Sequence, residues 1–132
     1  MMREGQAFTA AALDAACAAL SDELIELRRA LHQIPEIGDA LPLTKRLVCE
    51  YLAGLGLAVR GIEGADGVIA EIGGGAPGPT LALRADMDGL PIREKTGESF
   101  ASKNGNMHAC GHDLHATMLL GAAKILKAHE KE

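Results

Sequence analysis

Aromatic residues are nearly missing from this sequence: Phe8, Tyr51 and Phe100 are the whole set, and there is no Trp. A core must then be built from Leu, Ile, Val and Ala. Cysteine is scarce as well. Cys17, Cys49 and Cys110 lie far apart, odd in number and without a C-x-x-C pair. That excludes a disulfide framework and predicts a reducing, cytoplasmic compartment. Excess positive charge is lacking: the formal net charge is −5, whereas a nucleic-acid-binding face would be basic. No apolar run approaches the roughly 20 residues of a membrane span, so neither nucleic acid nor membrane is expected as a partner. The opening "MMREGQAFTAAALDAACAAL" has an early Arg3, and "LDAAC" faintly resembles a lipoprotein cleavage site. Asp14 interrupts what would be the apolar core of a signal, and the stretch reads as a helix.

What is present suits one globular domain. The 132 residues are 48% hydrophobic and 23% charged, near the average for folded chains. Leu13, Cys17, Leu20, Leu24, Leu27 and Leu31 recur at alternating spacings of four and three. This predicts a one-faced helix from about Thr9 to the break at Pro35 and Gly38, with Cys17 as a small core residue. A second helix is predicted from about Leu43 to Leu55, its apolar face made by Leu47, Val48, Tyr51, Leu52 and Leu55 and its end by "GLG" at 54–56. Cys49 lies off that face. "LAVRGIE" and "GVIAEIG" read as strands, and "GGGAPGP" at 73–79 as a turn or loop.

"TLALRADMDGLP" opens with a continuous apolar run and closes on Asp86 and Asp88. Such a run suits a central strand covered on both faces, and the carboxylates would then stand where open α/β sheets keep their sites. Two acids that merely begin a polar turn fit the letters equally well. Residues 91–109 show no periodicity, as functional or mobile loops do. From about His112 a last helix is predicted, with Leu114, Met118, Gly121, Ala122 and Ile125 on one face and Lys124, Lys127 and Lys131 towards its end.

The most informative stretch is "MHACGHDLH", which packs His108, Cys110, His112, Asp113 and His115 together. Thiolate and imidazole are good ligands for Zn, and His also serves Mn, Co or Ni. Cys110 and His112 flank Gly111, whose backbone freedom lets both side chains face one point. Asp86 and Asp88 are natural companions, since a carboxylate commonly holds the far nitrogen of a ligating His. A zinc site needs three or four ligands, so this segment supplies part of one. A reactive Cys110 at a helix start is the rival chemistry; satisfied structural histidines are the plain alternative. His108 and His115, taken singly, read as structural, and His32 and His129 as surface or structural.

"LRADMDGLPI", then "GNMHACGHDLHATMLLGAAKIL", with "LHQIPEIG" at 31–38, resembles the M20 metallopeptidase family, in its amidohydrolase branch of hippurate, N-acyl-amino-acid and auxin-conjugate hydrolases. The resemblance implies an α/β fold: the N-terminal part of a zinc-exopeptidase-like catalytic domain, with a mostly parallel or mixed central sheet between helices. It implies that residues 1–132 are one partial catalytic domain without the lid that mediates dimerisation. It implies two divalent metal ions (Zn, Mn, Co or Ni), with Cys110 and His112 as ligands and Asp88 as the catalytic-site aspartate that orients a ligand. Asp86 stands where other branches have a ligating His; Asp113 and His115 would be structural or support the ligands. The substrate implied is a small N-acyl amino acid, hydrolysed by water activated at the metals and a Glu base.

Two departures stand out. "DALPLTKR" replaces the acidic stretch that follows "PEIG" in the family. The family's Glu-Glu pair and later histidines are not among these residues. The resemblance therefore implies an inactive portion of a hydrolase, homodimeric or larger when complete. A half-domain that only binds metal or self-associates is the alternative, and a thiol-based protein using Cys110 a third.

Overall fold

The computed structural model describes residues 8–73, 75 and 77–131. The first residues of the signal-like opening, and Gly74 and Ala76 of the 73–79 loop, lie outside the described residues. Four helices and one hairpin follow in order: α1 (Ala10–Ala19), α2 (Ser21–His32), α3 (Pro42–Gly54), β1 (Val59–Ile62), β2 (Ala65–Ala70) and α4 (His112–Ala128).

The helix predicted from Thr9 starts there: the Thr9 hydroxyl accepts from the Ala12 N–H at 3.2 Å. It breaks at Leu20, and the acidic Asp22 and Glu23 fall in the first turn of α2. The break turns the two halves of the leucine stripe apart. Leu24 and Leu27 are half-buried and Leu31 is buried, whereas α1 buries nothing. Cys17 is therefore exposed, not the core residue that the spacing predicts.

Helix α3 begins with Pro42 in its first turn, where a missing N–H costs nothing. Its start is capped from a distance: the Glu36 carboxylate accepts from the Leu43 and Thr44 N–H groups at 3.1 and 2.8 Å. At its end Gly56 takes a φ of +76°. The Gly56 N–H then reaches the Ala53 carbonyl and the Leu57 N–H the Leu52 carbonyl, the paired bonds of a glycine-terminated helix. Leu57 is delivered into the core beside Leu31, Val48, Leu52, Ala116 and Leu120. Leu47, Tyr51 and Leu55 pack against that cluster, as the periodicity predicts.

The two predicted strands pair as the antiparallel hairpin β1–β2, with Val59 opposite Ala70 and Arg60 opposite Ile69. The chain is α/β, but the described sheet has two strands, smaller than the central parallel or mixed sheet predicted. Residues 80–89 form no ladder, and Leu81 and Leu83 are 82% and 53% exposed. An apolar run becomes a central strand only where neighbours satisfy its backbone and cover both faces. The one pairing here is a bridge between Leu90 and Met107.

Helix α4 also presents a different face from the one predicted. Asp113, Ala116, Thr117, Leu120 and Gly121 are buried, while Leu114 and Met118 are exposed. Gly121 explains the choice: a Cβ there would stand 2.9 Å from Leu24 Cδ1, so the small residue sets how closely α4 approaches α2. Glu23 ties three helices, accepting from the Tyr51 hydroxyl at 2.7 Å and from Lys124 Nζ at 2.6 Å. Lys124, and then Tyr51, hold its carboxyl below the usual range.

Candidate metal centre

Gly111 precedes α4 with a φ of +99°, a left-handed turn open to glycine at no steric cost. It throws Cys110 outward and starts α4 on His112. Asp88 comes from the other side, at the end of the extended 80–89 segment. That segment is pinned to the segment that follows α2: the Gly89 N–H donates to the Glu36 carbonyl at 2.6 Å. A Cβ on Gly89 would meet Pro35 Cβ at 2.8 Å, so the approach needs glycine.

His112 and Asp88 meet. His112 Nδ1 lies 2.8 Å from Asp88 Oδ1 and 3.0 Å from the Asp88 carbonyl oxygen. A carbonyl oxygen only accepts, so Nδ1 carries the proton, and in the neutral imidazole Nε2 is the nitrogen with the lone pair. Nε2 faces Asp86 Oδ2 at 4.0 Å, while the other Asp86 oxygen pairs with Arg84 at 2.5 Å. Cys110, two residues before His112, carries a free, exposed thiol.

This donor set fits a divalent metal. It comprises the exposed thiol two residues before His112, the His112 imidazole and Asp86 at 4.0 Å from its Nε2, with the imidazole held from behind by Asp88. Among the described residues, however, no group of three or more His, Cys, Asp or Glu side chains is gathered tightly enough to hold an ion.

The remaining residues singled out by sequence separate by role. His115 is exposed, its ring 5.5 Å from that of His112. It lines a shallow groove with Leu83, Arg84, Ala85, Met118 and Leu119. Asp113 is fully buried and faces away from the ligand edge, its Oδ2 at 2.7 Å from His32 Nδ1 and 2.8 Å from Arg28 Nε. His108 is buried as well, and burial pushes its imidazole below the usual range. The His129 ring lies 4.0 Å from that of Phe8, tilted by 45°.

Sequence reasoning missed Glu94. Its carboxylate takes the Thr96 hydroxyl and the Ser102 N–H at 2.6 Å each and His32 Nε2 at 3.0 Å. Burial would raise its pKa, but these partners outweigh burial and hold it at about 2. A lone Glu in an aperiodic loop carries no spacing signal, so nothing in the letters marks it.

The chain sets a carboxylate-backed imidazole and, two residues before it, a free thiol at the start of a helix. Residues 82–132 match Peptidase family M20/M25/M40. The chain is 47% identical over 112 residues to the N-acetyl-L-cysteine deacetylase of Bacillus subtilis, an alignment covering 84% of this chain and 27% of that protein. It is 46% identical over 112 residues to the IAA-amino acid hydrolase ILR1-like 5 of Arabidopsis thaliana, covering 84% of this chain and 26% of that one. A crystal structure of a Bacillus subtilis protein described as a dinuclear metal binding peptidase from the M20 family superposes with a TM-score of 0.78 at 39% identity, covering 86% of this chain and 32% of that one. The chain is thus similar, over most of its length, to a portion of M20-family proteins. It spans about a quarter of the length of these curated relatives.

Proposed function

We propose that these residues are the part of a metal-dependent amidohydrolase that contributes Cys110 and His112 as metal ligands and Asp88 as the residue orienting His112. The observation that carries the reading is the paired contact of Asp88 with His112 Nδ1, which turns Nε2 away from Asp88, two residues after an exposed free thiol. A divalent ion held there supplies Lewis acidity towards water and a carbonyl oxygen. Thiolate and imidazole donors suit Zn and Co, and the branch also admits Mn or Ni. Asp88 fixes the His112 tautomer and makes its imidazole a better donor. Asp86 is the candidate for a further oxygen ligand.

The substrate class is a small N-acyl amino acid, which the names of two relatives support: one is a deacetylase of N-acetyl-L-cysteine, the other a hydrolase of an IAA–amino acid conjugate. The free, partly exposed cysteines support a reducing, cytoplasmic location. A homodimer or larger assembly is proposed for the complete enzyme on the resemblance alone.

The 132-residue chain should give no chelator-sensitive turnover of N-acetyl amino acids, since the general base and the remaining ligands of the reading are not among its residues. Metal-dependent release of free amino acid by this chain would overturn that. Zinc titration calorimetry tests the ligands: binding should weaken sharply in Cys110→Ser and in His112→Gln. A second reading, a metal-binding or self-associating half-domain, is favoured by the exposed Leu81, Leu83, Leu114 and Met118; oligomers without turnover would select it. Rapid Cys110 alkylation that zinc does not block would select thiol chemistry instead.

A further inference from the structure

Asp88 and His112 belong to segments that share no helix or strand, and a long irregular loop separates them. A carboxylate-backed imidazole is useful only if that spacing is held within a fraction of an ångström. The segment that follows α2 does the holding. Glu36 takes the Gly89 N–H beside Asp88, and the Pro35 carbonyl accepts from the Asn104 and Asn106 side chains at 2.8 and 3.2 Å.

His32 stands at the centre of this arrangement, 3% exposed. One ring nitrogen lies 2.7 Å from Asp113, the neighbour of His112 in the first turn of α4. The other lies 3.0 Å from Glu94, which gathers the loop through Thr96 and Ser102. A neutral imidazole donates through one nitrogen only; here both ring nitrogens face carboxylates, on two different segments. Arg28 adds a second hold on Asp113, so removal of the His32 contact alone need not unseat α4.

We infer that His32 is a positioning residue: by joining Glu94 of the loop to Asp113 beside His112, it sets the spacing of Asp88 and His112. The inference rests on the proposed metal role of Cys110 and His112 for its functional meaning, but its geometry can be read without metal.

The test uses the 132-residue chain with ¹⁵N-labelled histidine. Ring nitrogen shifts report the His112 tautomer in the metal-free chain, and the thiolate-to-cobalt absorption band reports Co²⁺ binding. In the unmodified chain His112 should show one tautomer, protonated at Nδ1. Glu94→Gln keeps one oxygen, enough for the Ser102 N–H, but replaces the oxygen shared by Thr96 and His32 with an amide and loses the charge facing His32. His32→Asn keeps a donor near the position of Nδ1; His32→Leu keeps neither bond. Tautomer averaging at His112 and a loss of Co²⁺ affinity of about tenfold are expected in Glu94→Gln, with His32→Asn retaining more than His32→Leu. If the His112 spectrum and the cobalt affinity stay unchanged in Glu94→Gln and His32→Asn while only the melting temperature falls, His32 is structural and the inference is wrong. A band absent from the unmodified chain, or surviving Cys110→Ser, would instead defeat the metal reading. The tautomer readout would then still decide whether His32 orders His112.

Discussion

Asp88 and His112 carry the argument because their contact fixes a tautomer, not merely a proximity. Removing the carboxylate should leave His112 free to protonate at either nitrogen. Asp88→Ala is therefore expected to lower zinc affinity about 10–100-fold, measured by calorimetry against an unchanged circular dichroism spectrum. Glu94 makes a separate prediction. Its folded pKa, about 2, lies below the ordinary 4.5. The stability it contributes is fully present above 4.5 and is lost as pH falls towards about 2. Urea midpoints through that window should fall more steeply for the unmodified chain than for Glu94→Gln. Equal slopes would show that Glu94 titrates alike in folded and unfolded chains.

At the scale of elements, the "LHQIPEIG" segment is a junction. Its His32 faces α4 and the loop, its Pro35 carbonyl takes two Asn side chains, and its Glu36 both caps α3 and pins Gly89. Four bodies of chain meet on eight residues, which explains why the segment needs a helix end followed at once by proline. The tightest approach in this junction is Gly89 on Pro35. Gly89→Ala should cost about 1–3 kcal/mol, as overpacking does, because the added carbon meets a proline ring and the Met107 carbonyl at 3.3 Å, neither of which can swing aside. Chemical denaturation of the variant checks this; an unchanged midpoint would mean that the segment shifts freely. The helices themselves were largely legible in the letters. The start at Thr9, the span of α3 and the start of α4 follow from caps, proline and periodicity. The break at Leu20 was not, since the leucine spacing runs straight through it.

The molecule as a whole buries its α2, α3 and α4 faces and leaves another apolar set in water. Leu81, Leu83, Leu114, Met118 and Leu126 are all exposed, and residues 80–89 run extended without a ladder. Unpaired extended backbone with apolar side chains is a template for association. The chain is expected to self-associate with rising concentration in sedimentation velocity, and Leu81→Lys with Leu83→Lys should shift it towards monomer. A monomeric unmodified chain would mean that this surface is tolerated in water.

The sequence by itself determined the start at Thr9, helices α3 and α4, the two strand segments and the residue types around His112, because caps, turn glycines and periodicity act within a few positions of each other. Cys110, Gly111, His112 and the acids Asp86 and Asp88 could be named without coordinates. Which acid backs the imidazole was decided by tertiary structure: Asp88 holds Nδ1, while Asp86 stands across from Nε2. So was the sorting of the histidines, with His32 and His108 buried and His115 in water. The exposure of Cys17, the buried face of α4 and the unpaired state of the 80–89 run also came from the fold. Each depends on what distant chain supplies, and local spacing carries no record of that.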